Sequence, residues 1–246
     1  IILADSQKPV HLKHRTHPMF EKALRLVRGG LNVLLVGPAG CGKTTLAEHI
    51  AKALKRRYGT MHCTAGMSEG HLTGWLLPVG EGKPGSFSYV ASEFVTLFED
   101  GDSVYLLDEI DAADANVLLV LNAALANGAL HVPHRYQKPH VERGKNMAII
   151  AAANTFGTGA NMLYAGRNQL DAASLDRFYP VEMDYDTALE SDITGLPAES
   201  VAVWQAADDS TMEADLKDLA EWCRKLRQSV NQHPSMRRVE IGRAHV

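Results

Sequence analysis

Leu31-Asn32-Val33-Leu34-Leu35-Val36-Gly37-Pro38-Ala39-Gly40-Cys41-Gly42-Lys43-Thr44 is the stretch on which the fold turns. Leu31–Val36 is a short apolar run with glycines on both sides, the pattern of a strand buried on both faces. From Lys43 to about Arg57 the period becomes helical, with Leu46, Ile50 and Leu54 on one face. Between them, Gly37–Thr44 fits G-x-x-x-x-G-K-[ST]. Glycines at these places let backbone N–H groups converge on phosphate oxygens without Cβ clashes. The N-terminus of the following helix adds its dipole to the same anion. Gly37, Pro38, Ala39, Gly40, Cys41 and Gly42 therefore read as a cradle for a nucleotide's phosphates. Lys43 supplies a mobile positive charge to the β and γ phosphates, and the Thr44 hydroxyl a ligand for Mg²⁺. Thr45 completes the nucleotide-contacting positions. Cys41 reads as a small residue that the loop tolerates, against the alternative of a redox-sensitive thiol.

Two further segments belong with this loop. Val104-Tyr-Leu-Leu107-Asp108-Glu109 is a strand that delivers two carboxylates to its C-terminal end, the edge where open parallel sheets bind ligands. Asp108 is the candidate Mg²⁺ ligand. Glu109, one residue on, points elsewhere and is the candidate base for the attacking water. Asp111 and Asp114 read as acidic caps of the next helix. Met147–Ala153 is a third apolar strand, ending at Asn154.

The remaining punctuation predicts an α/β core to about residue 184. A helix precedes Gly29-Gly30, a strand lies near Met61–Thr64 and a weaker one at Val181–Met183. Ser92–Phe98 and Asn116–Ala126 are helices, the latter closed by Gly128. Trp75–Val90, with Pro78, Gly80, Gly82, Pro84 and Gly85, and Leu130–Lys145 read as inserted hairpins. Residues 185–239 show helical patterns only, including a Ser210-x-x-Glu213 capping box, and read as a small helical domain. Ile241–Val246 back-translates to ATC GGA AGA GCA CAC GTC, which resembles the start of a common short-read sequencing adapter. Residues 240–246 are therefore expected to be foreign, and the absence of an initial Met points to a fragment.

Taken together, these segments resemble an AAA+ ATPase over nearly all of residues 17–239. Asn154 looks like the family's sensor-1 residue, which helps position the attacking water. Leu175-Asp176-Arg177-Phe178 looks like its arginine-finger segment, with Arg167 a second candidate. Ser235-Met236-Arg237 resembles the sensor-2 motif on the helical lid. The run from Gly157 to Phe178 is similar to the dynein/midasin-related branch, which includes the MoxR and CbbQ/NorQ ATPases and many phage-encoded relatives. The resemblance implies a P-loop NTPase fold: a three-layer αβα core with a parallel sheet, followed by an α-helical lid. It implies ATP and Mg²⁺ as ligands, a homo-oligomeric ring (a hexamer) in which Arg177 enters the neighbouring subunit's site, and a protein client. A partner with a von Willebrand A-type domain is the CbbQ/NorQ-like expectation. One or both hairpins would face a central pore, with Trp75 and Leu76 as contacts. Two other readings stay open: a McrB-like, nucleic-acid-associated motor preferring GTP, and a non-catalytic module that uses nucleotide as a switch.

Composition bounds these readings. With 246 residues, 46% hydrophobic and 22% charged, the chain is globular in type and long enough for a large core. The net charge of −4 gives no general attraction to nucleic acid. No apolar run approaches the ~18 residues of a membrane span. The three cysteines, Cys41, Cys63 and Cys223, are odd in number and widely spaced, which fits a reduced, cytoplasmic setting. His11, His14, His17, His131, His134 and His140 read as polar surface histidines rather than a metal site. Lys8, Lys13, Arg15, Lys22, Arg25 and Arg28 read as a solvated basic face.

Overall fold

A computed structural model describes residues 15–78, 87–155, 159, 168–170 and 172–194. The chain divides into two compact units, Ile1–Ile193 and Thr194–Val246, and the fold described is that of the first. Arg167, Arg237, the Ser210 capping box and most of the expected helical lid lie outside the described residues.

The elements follow in order: α1 (Phe20–Arg28), β1 (Val33–Val36), α2 (Lys43–Leu54), β2 (Arg57–His62), α3 (Glu69–Thr73), β3 (Trp75–Pro78), β4 (Phe87–Val90) and α4 (Glu93–Asp100). Then come β5 (Ser103–Asp108), a 3₁₀ turn at Ile110–Ala112, α5 (Ala115–Asn127), β6 (Ala129–His131), β7 (His140–Glu142), β8 (Ala148–Ala153), α6 (Ala172–Leu175), β9 (Tyr179–Glu182) and α7 (Thr187–Thr194). Five strands form one sheet in the order β2-β5-β8-β1-β9, every neighbouring pair parallel. β3–β4 and β6–β7 are separate antiparallel hairpins, as the two glycine- and proline-containing insertions predict.

The side-chain period of two sorts each central strand between two cores. Val33, Leu35, Val104, Leu106, Ile150 and Val181 pack with α1 and α2 through Phe20, Leu24, Leu46 and Ile50. Leu34, Val36, Tyr105, Leu107 and Ile149 face the other way, against Phe94, Phe98, Leu121 and Leu125 of α4 and α5. The result is a three-layer αβα sandwich, with helices on both faces of a parallel sheet. Every strand of the sheet ends at the same edge, and that edge carries the loops after β1, β5 and β8.

Two expectations need correction. The helix after the glycine loop stops at Leu54, not Arg57, because Lys55 turns left-handed (φ 55°). β2 then starts at Arg57 rather than Met61, and pairs with β5 from Arg57↔Ser103 to His62↔Asp108. Half of its side chains are exposed, so it lacks the apolar run that marks the central strands. The second correction is His17, which is buried, not superficial. Its Nδ1 accepts from Met19 N–H (3.1 Å) and its Nε2 pairs with the Asp184 carbonyl (2.9 Å), fastening the segment before α1 to the end of β9.

The β6–β7 hairpin is strapped to α4 through Glu99, whose carboxylate accepts from Arg135 (2.5 Å) and Lys138 (2.7 Å). These two bonds hold the Glu99 carboxyl below the usual carboxylate range. His131 and His140 face each other across that hairpin with ring centroids 5.0 Å apart, both exposed, and His134 is exposed in its turn. On α1, the exposed Arg25 pairs with Glu21 one turn away.

Candidate nucleotide site

The phosphate loop leaves β1 at Gly37 and enters α2 at Lys43. Its entry is tight: Gly37 N–H donates to the Ala153 carbonyl at the end of β8, and Met183 N–H to Val36. A Cβ at Gly37 would lie 2.2 Å from the Met183 carbonyl oxygen, so no side chain fits there. At the exit, Gly42 caps α2 in the left-handed region (φ 89°), which a residue with a Cβ adopts only with strain. The two glycines thus answer different constraints, close approach at one end and backbone sign at the other.

Lys43 is only 8% exposed. Its ammonium folds back over the loop and donates to the carbonyls of Gly37 (2.7 Å) and Pro38 (2.8 Å) and to Asn154 Oδ1 (2.9 Å). Burial pushes its pKa down from the ordinary lysine value, opposed by Cys41, Asp108 and Asp111. All three acceptors are neutral carbonyl oxygens, two of backbone and one of a side-chain amide, and leave a buried cation with little compensating negative charge. An anion on the loop would supply it. Burial also pushes the Cys41 thiol up, and Cys41 is packed into the loop at 5% exposed. Thr45 is exposed on the first turn of α2.

At the end of β5, Thr44 Oγ1 donates to Asp108 Oδ2 (3.1 Å). A hydroxyl and a carboxylate at this spacing are hard oxygen donors that fit Mg²⁺, which takes few protein ligands and completes its shell with water and phosphate. Among the described residues, no group of three or more His, Cys, Asp or Glu is placed to hold a metal, so this pair is no protein-only metal cage. The chain then turns sharply. Glu109 is left-handed (φ 55°, ψ 44°), and its N–H donates to Asp108 Oδ1 (3.1 Å). A non-glycine residue held in that region stores strain of order 1–2 kcal/mol. The turn aims the two carboxylates apart, Asp108 to Thr44 and Glu109 to the end of β2, where its Oε2 lies 3.1 Å from His62 Nε2. His62 was not a sequence candidate; only its register opposite Asp108 brings it to the site.

Asp111 is the second residue that the sequence misassigns. Asp114 does cap α5, accepting from Asn116 N–H (2.8 Å). Asp111 instead is 0% exposed, and its Oδ2 accepts from Asn154 N–H (3.2 Å), Thr155 N–H (3.1 Å) and Thr155 Oγ1 (3.0 Å). It ties the turn after β5 to the turn after β8, and so fixes the backbone from which Asn154 reaches Lys43. Asp111→Ala leaves those donors buried without an acceptor and should lower stability by about 3 kcal/mol. Urea unfolding monitored by circular dichroism checks this, and an unchanged midpoint would remove Asp111 as the tie.

Arg177 is not brought to this cluster. It is exposed and precedes β9, at the sheet edge opposite the phosphate loop. Four residues of strand separate the two edges, roughly 13 Å at ~3.3 Å per residue. A short relay holds it there. Arg143 donates to Asn32 Oδ1 (2.9 Å) and to the Met147 carbonyl, and Asn32 Nδ2 donates to the Arg177 carbonyl (3.2 Å).

A parallel αβα sandwich with this loop at its strand ends is a P-loop nucleoside-triphosphatase type of fold. More narrowly, the chain belongs to the AAA domain family, dynein-related subfamily, whose pattern matches residues 32–178. Among curated proteins it is 26% identical over 186 residues to an uncharacterized protein of Staphylococcus saprophyticus, covering 73% of this chain and 66% of that one. It is 27% identical over 169 residues to the uncharacterized protein YojN of Bacillus subtilis, covering 68% and 52%. The chain thus spans slightly less than two-thirds of the first and about half of the second. A solved structure from Cytophaga hutchinsonii, assigned provisionally as an ATPase, superposes with a TM-score of 0.54 at 18% identity, over 72% of this chain and 49% of that one, a likeness of fold. Among the described residues, no helix is long and apolar enough to cross a membrane.

Proposed function

We propose that the chain binds Mg-ATP and hydrolyses its β–γ bond as a homo-oligomeric ring, a hexamer in the resemblance drawn above, to remodel a partner protein. The observation that carries the reading is the convergence of Lys43, Thr44, Asp108, Glu109 and Asn154 at one sheet edge, with Arg177 at the other. Lys43 exchanges its carbonyl partners for β- and γ-phosphate oxygens. Thr44 and Asp108 are the residues that would hold Mg²⁺, which would supply positive charge against the phosphates. Glu109 takes the proton of the attacking water and Asn154 orients that water. Arg177, too far to serve its own chain's nucleotide, completes the site of a neighbour.

The client reading draws support from the β3–β4 hairpin. Trp75 (48%), Leu76, Leu77, Phe87 (63%) and Val90 are all exposed on it. Clustered apolar side chains at a surface mark contact with another protein. A partner carrying a von Willebrand A-type domain is the class that the MoxR and CbbQ/NorQ likeness suggests.

The test is ATP binding and phosphate release by the protein and by Lys43→Ala. Loss of charge-assisted bonds of about 1.5–3 kcal/mol predicts ~10–150-fold weaker binding of ATP. A Lys43→Ala variant that binds ATP as tightly as the parent would reject the loop as a nucleotide site.

A further inference from the structure

We infer that His131 and His140 form a two-imidazole site for a divalent transition ion of the Zn²⁺ type, on the outer face of the β6–β7 hairpin. The two residues stand directly opposite each other across the strands. On one side of them Val132 N–H donates to the Pro139 carbonyl (2.7 Å), and further along Arg143 N–H donates to the Gly128 carbonyl (2.7 Å). Opposed residues in an antiparallel ladder alternate between hydrogen-bonded and non-hydrogen-bonded pairs. His131 and His140 therefore fall on a non-hydrogen-bonded pair, where Cα atoms are ~4.5 Å apart and side chains lie closest.

The side-chain period of two decides which way the pair points. Leu130, Val132 and Val141 are buried under the hairpin, so His131 and His140 alternate with them onto the solvent face. A slip of one residue would exchange the two sets and expose the apolar ones. The register that opposes the imidazoles is thus held by the core beneath it. The strap from Glu99 to Arg135 and Lys138 fixes the turn that joins the strands.

Ring centroids 5.0 Å apart suit a shared ion. With a Zn–N bond of ~2.0–2.1 Å, each centroid sits roughly 3.2 Å from the metal, and two imidazoles at a tetrahedral angle then stand about 5.2 Å apart. Neither ring has a hydrogen-bond partner among the described residues, so each can turn a nitrogen lone pair to the ion without breaking a bond. Imidazole nitrogen suits Zn²⁺, Cu²⁺ or Ni²⁺, whereas Mg²⁺ seeks oxygen. The pair is chemically separate in this way from Thr44 and Asp108. Among the described residues no group of three or more His, Cys, Asp or Glu is placed to hold a metal, so water completes the shell.

Hydrogen exchange of the hairpin amides, followed over a Zn²⁺ titration of the whole chain in excess Mg²⁺, tests this. The midpoint of the change reads the affinity of this site alone. The proteins are the parent, His131→Ala, His140→Ala and His134→Ala, all altered at exposed positions where substitution has little effect on stability. In the parent, Zn²⁺ should slow exchange at Ala129–His131 and His140–Glu142 despite the Mg²⁺. His131→Ala and His140→Ala should each move the midpoint to at least ~10-fold higher Zn²⁺, the lower end of what losing even a supporting group costs at a metal site. His134→Ala, in the turn, should keep the parent midpoint. A parent hairpin that Zn²⁺ does not slow, a midpoint unchanged in either variant of the pair, or an equal shift in His134→Ala overturns the site. Each of these results leaves the nucleotide reading standing.

Discussion

Glu109→Gln should abolish turnover while leaving ATP binding intact. A positioned general base contributes about 10²–10⁴ in rate, so kcat should fall by that factor with little change in the Kd for ATP. The separation follows from the turn at the end of β5. Asp108 and Glu109 are adjacent in sequence but aimed apart by the left-handed backbone at Glu109, so the metal contacts proposed for Thr44 and Asp108 do not depend on the Glu109 carboxylate. Glutamine keeps the shape and can still accept from His62, which lies 3.1 Å from the carboxylate, but it cannot take a proton from water. Steady-state phosphate release and equilibrium ATP titration on the same preparation read the two quantities. Turnover at the parent rate would remove Glu109 as the base.

Arg177→Ala should cost more, about 10³–10⁵ in kcat, the range for a cation that meets charge developing on a transferring phosphoryl group. Its place in the fold makes the prediction sharper than the number. The strand β9 stands between Arg177 and its own chain's phosphate loop, so the loss should be repairable from outside. Arg177→Ala keeps an intact nucleotide site and lacks the cation; Lys43→Ala lacks the site and keeps the cation. Each should be inactive alone, and mixing them should restore phosphate release, because mixed assemblies contain interfaces that have both. A silent Arg177→Ala variant, or a mixture that stays inactive, would sink the shared-site reading.

Where the contiguous parts of the candidate site lie in the fold was legible in the sequence, for a physical reason. Gly37–Thr44 and Asp108-Glu109 act through local backbone geometry, so residue type and spacing carry their meaning. Asn154 could be placed because it ends an apolar strand. What stayed hidden depends on pairing across the sheet. Asp111 looks like any acidic cap until β5 and β8 lie side by side and bring Thr155 to it. His62 is one exposed residue of a half-exposed strand, and only its position opposite Asp108 sets it beside Glu109. His17 reads like His11 and His14 in the sequence, yet it is tied down by a carbonyl 167 positions away. The position of Arg177 on the far edge follows from β9 running parallel to β1, which no local pattern encodes.

That strand order also bears on how the chain is made. β1, which carries the phosphate loop, pairs only with β8 and β9, and both are synthesised more than a hundred residues later. At ~5–20 residues per second, an emerging chain holds Val33–Val36 without its ladder for roughly 5–25 s. During that interval all of Gly37–Thr44 is present with no sheet to hold it, and the four apolar residues of β1 are open to other strands or to a chaperone. The glycine loop, translated before Asp108 and Asn154, is therefore among the last parts of this core to acquire its shape.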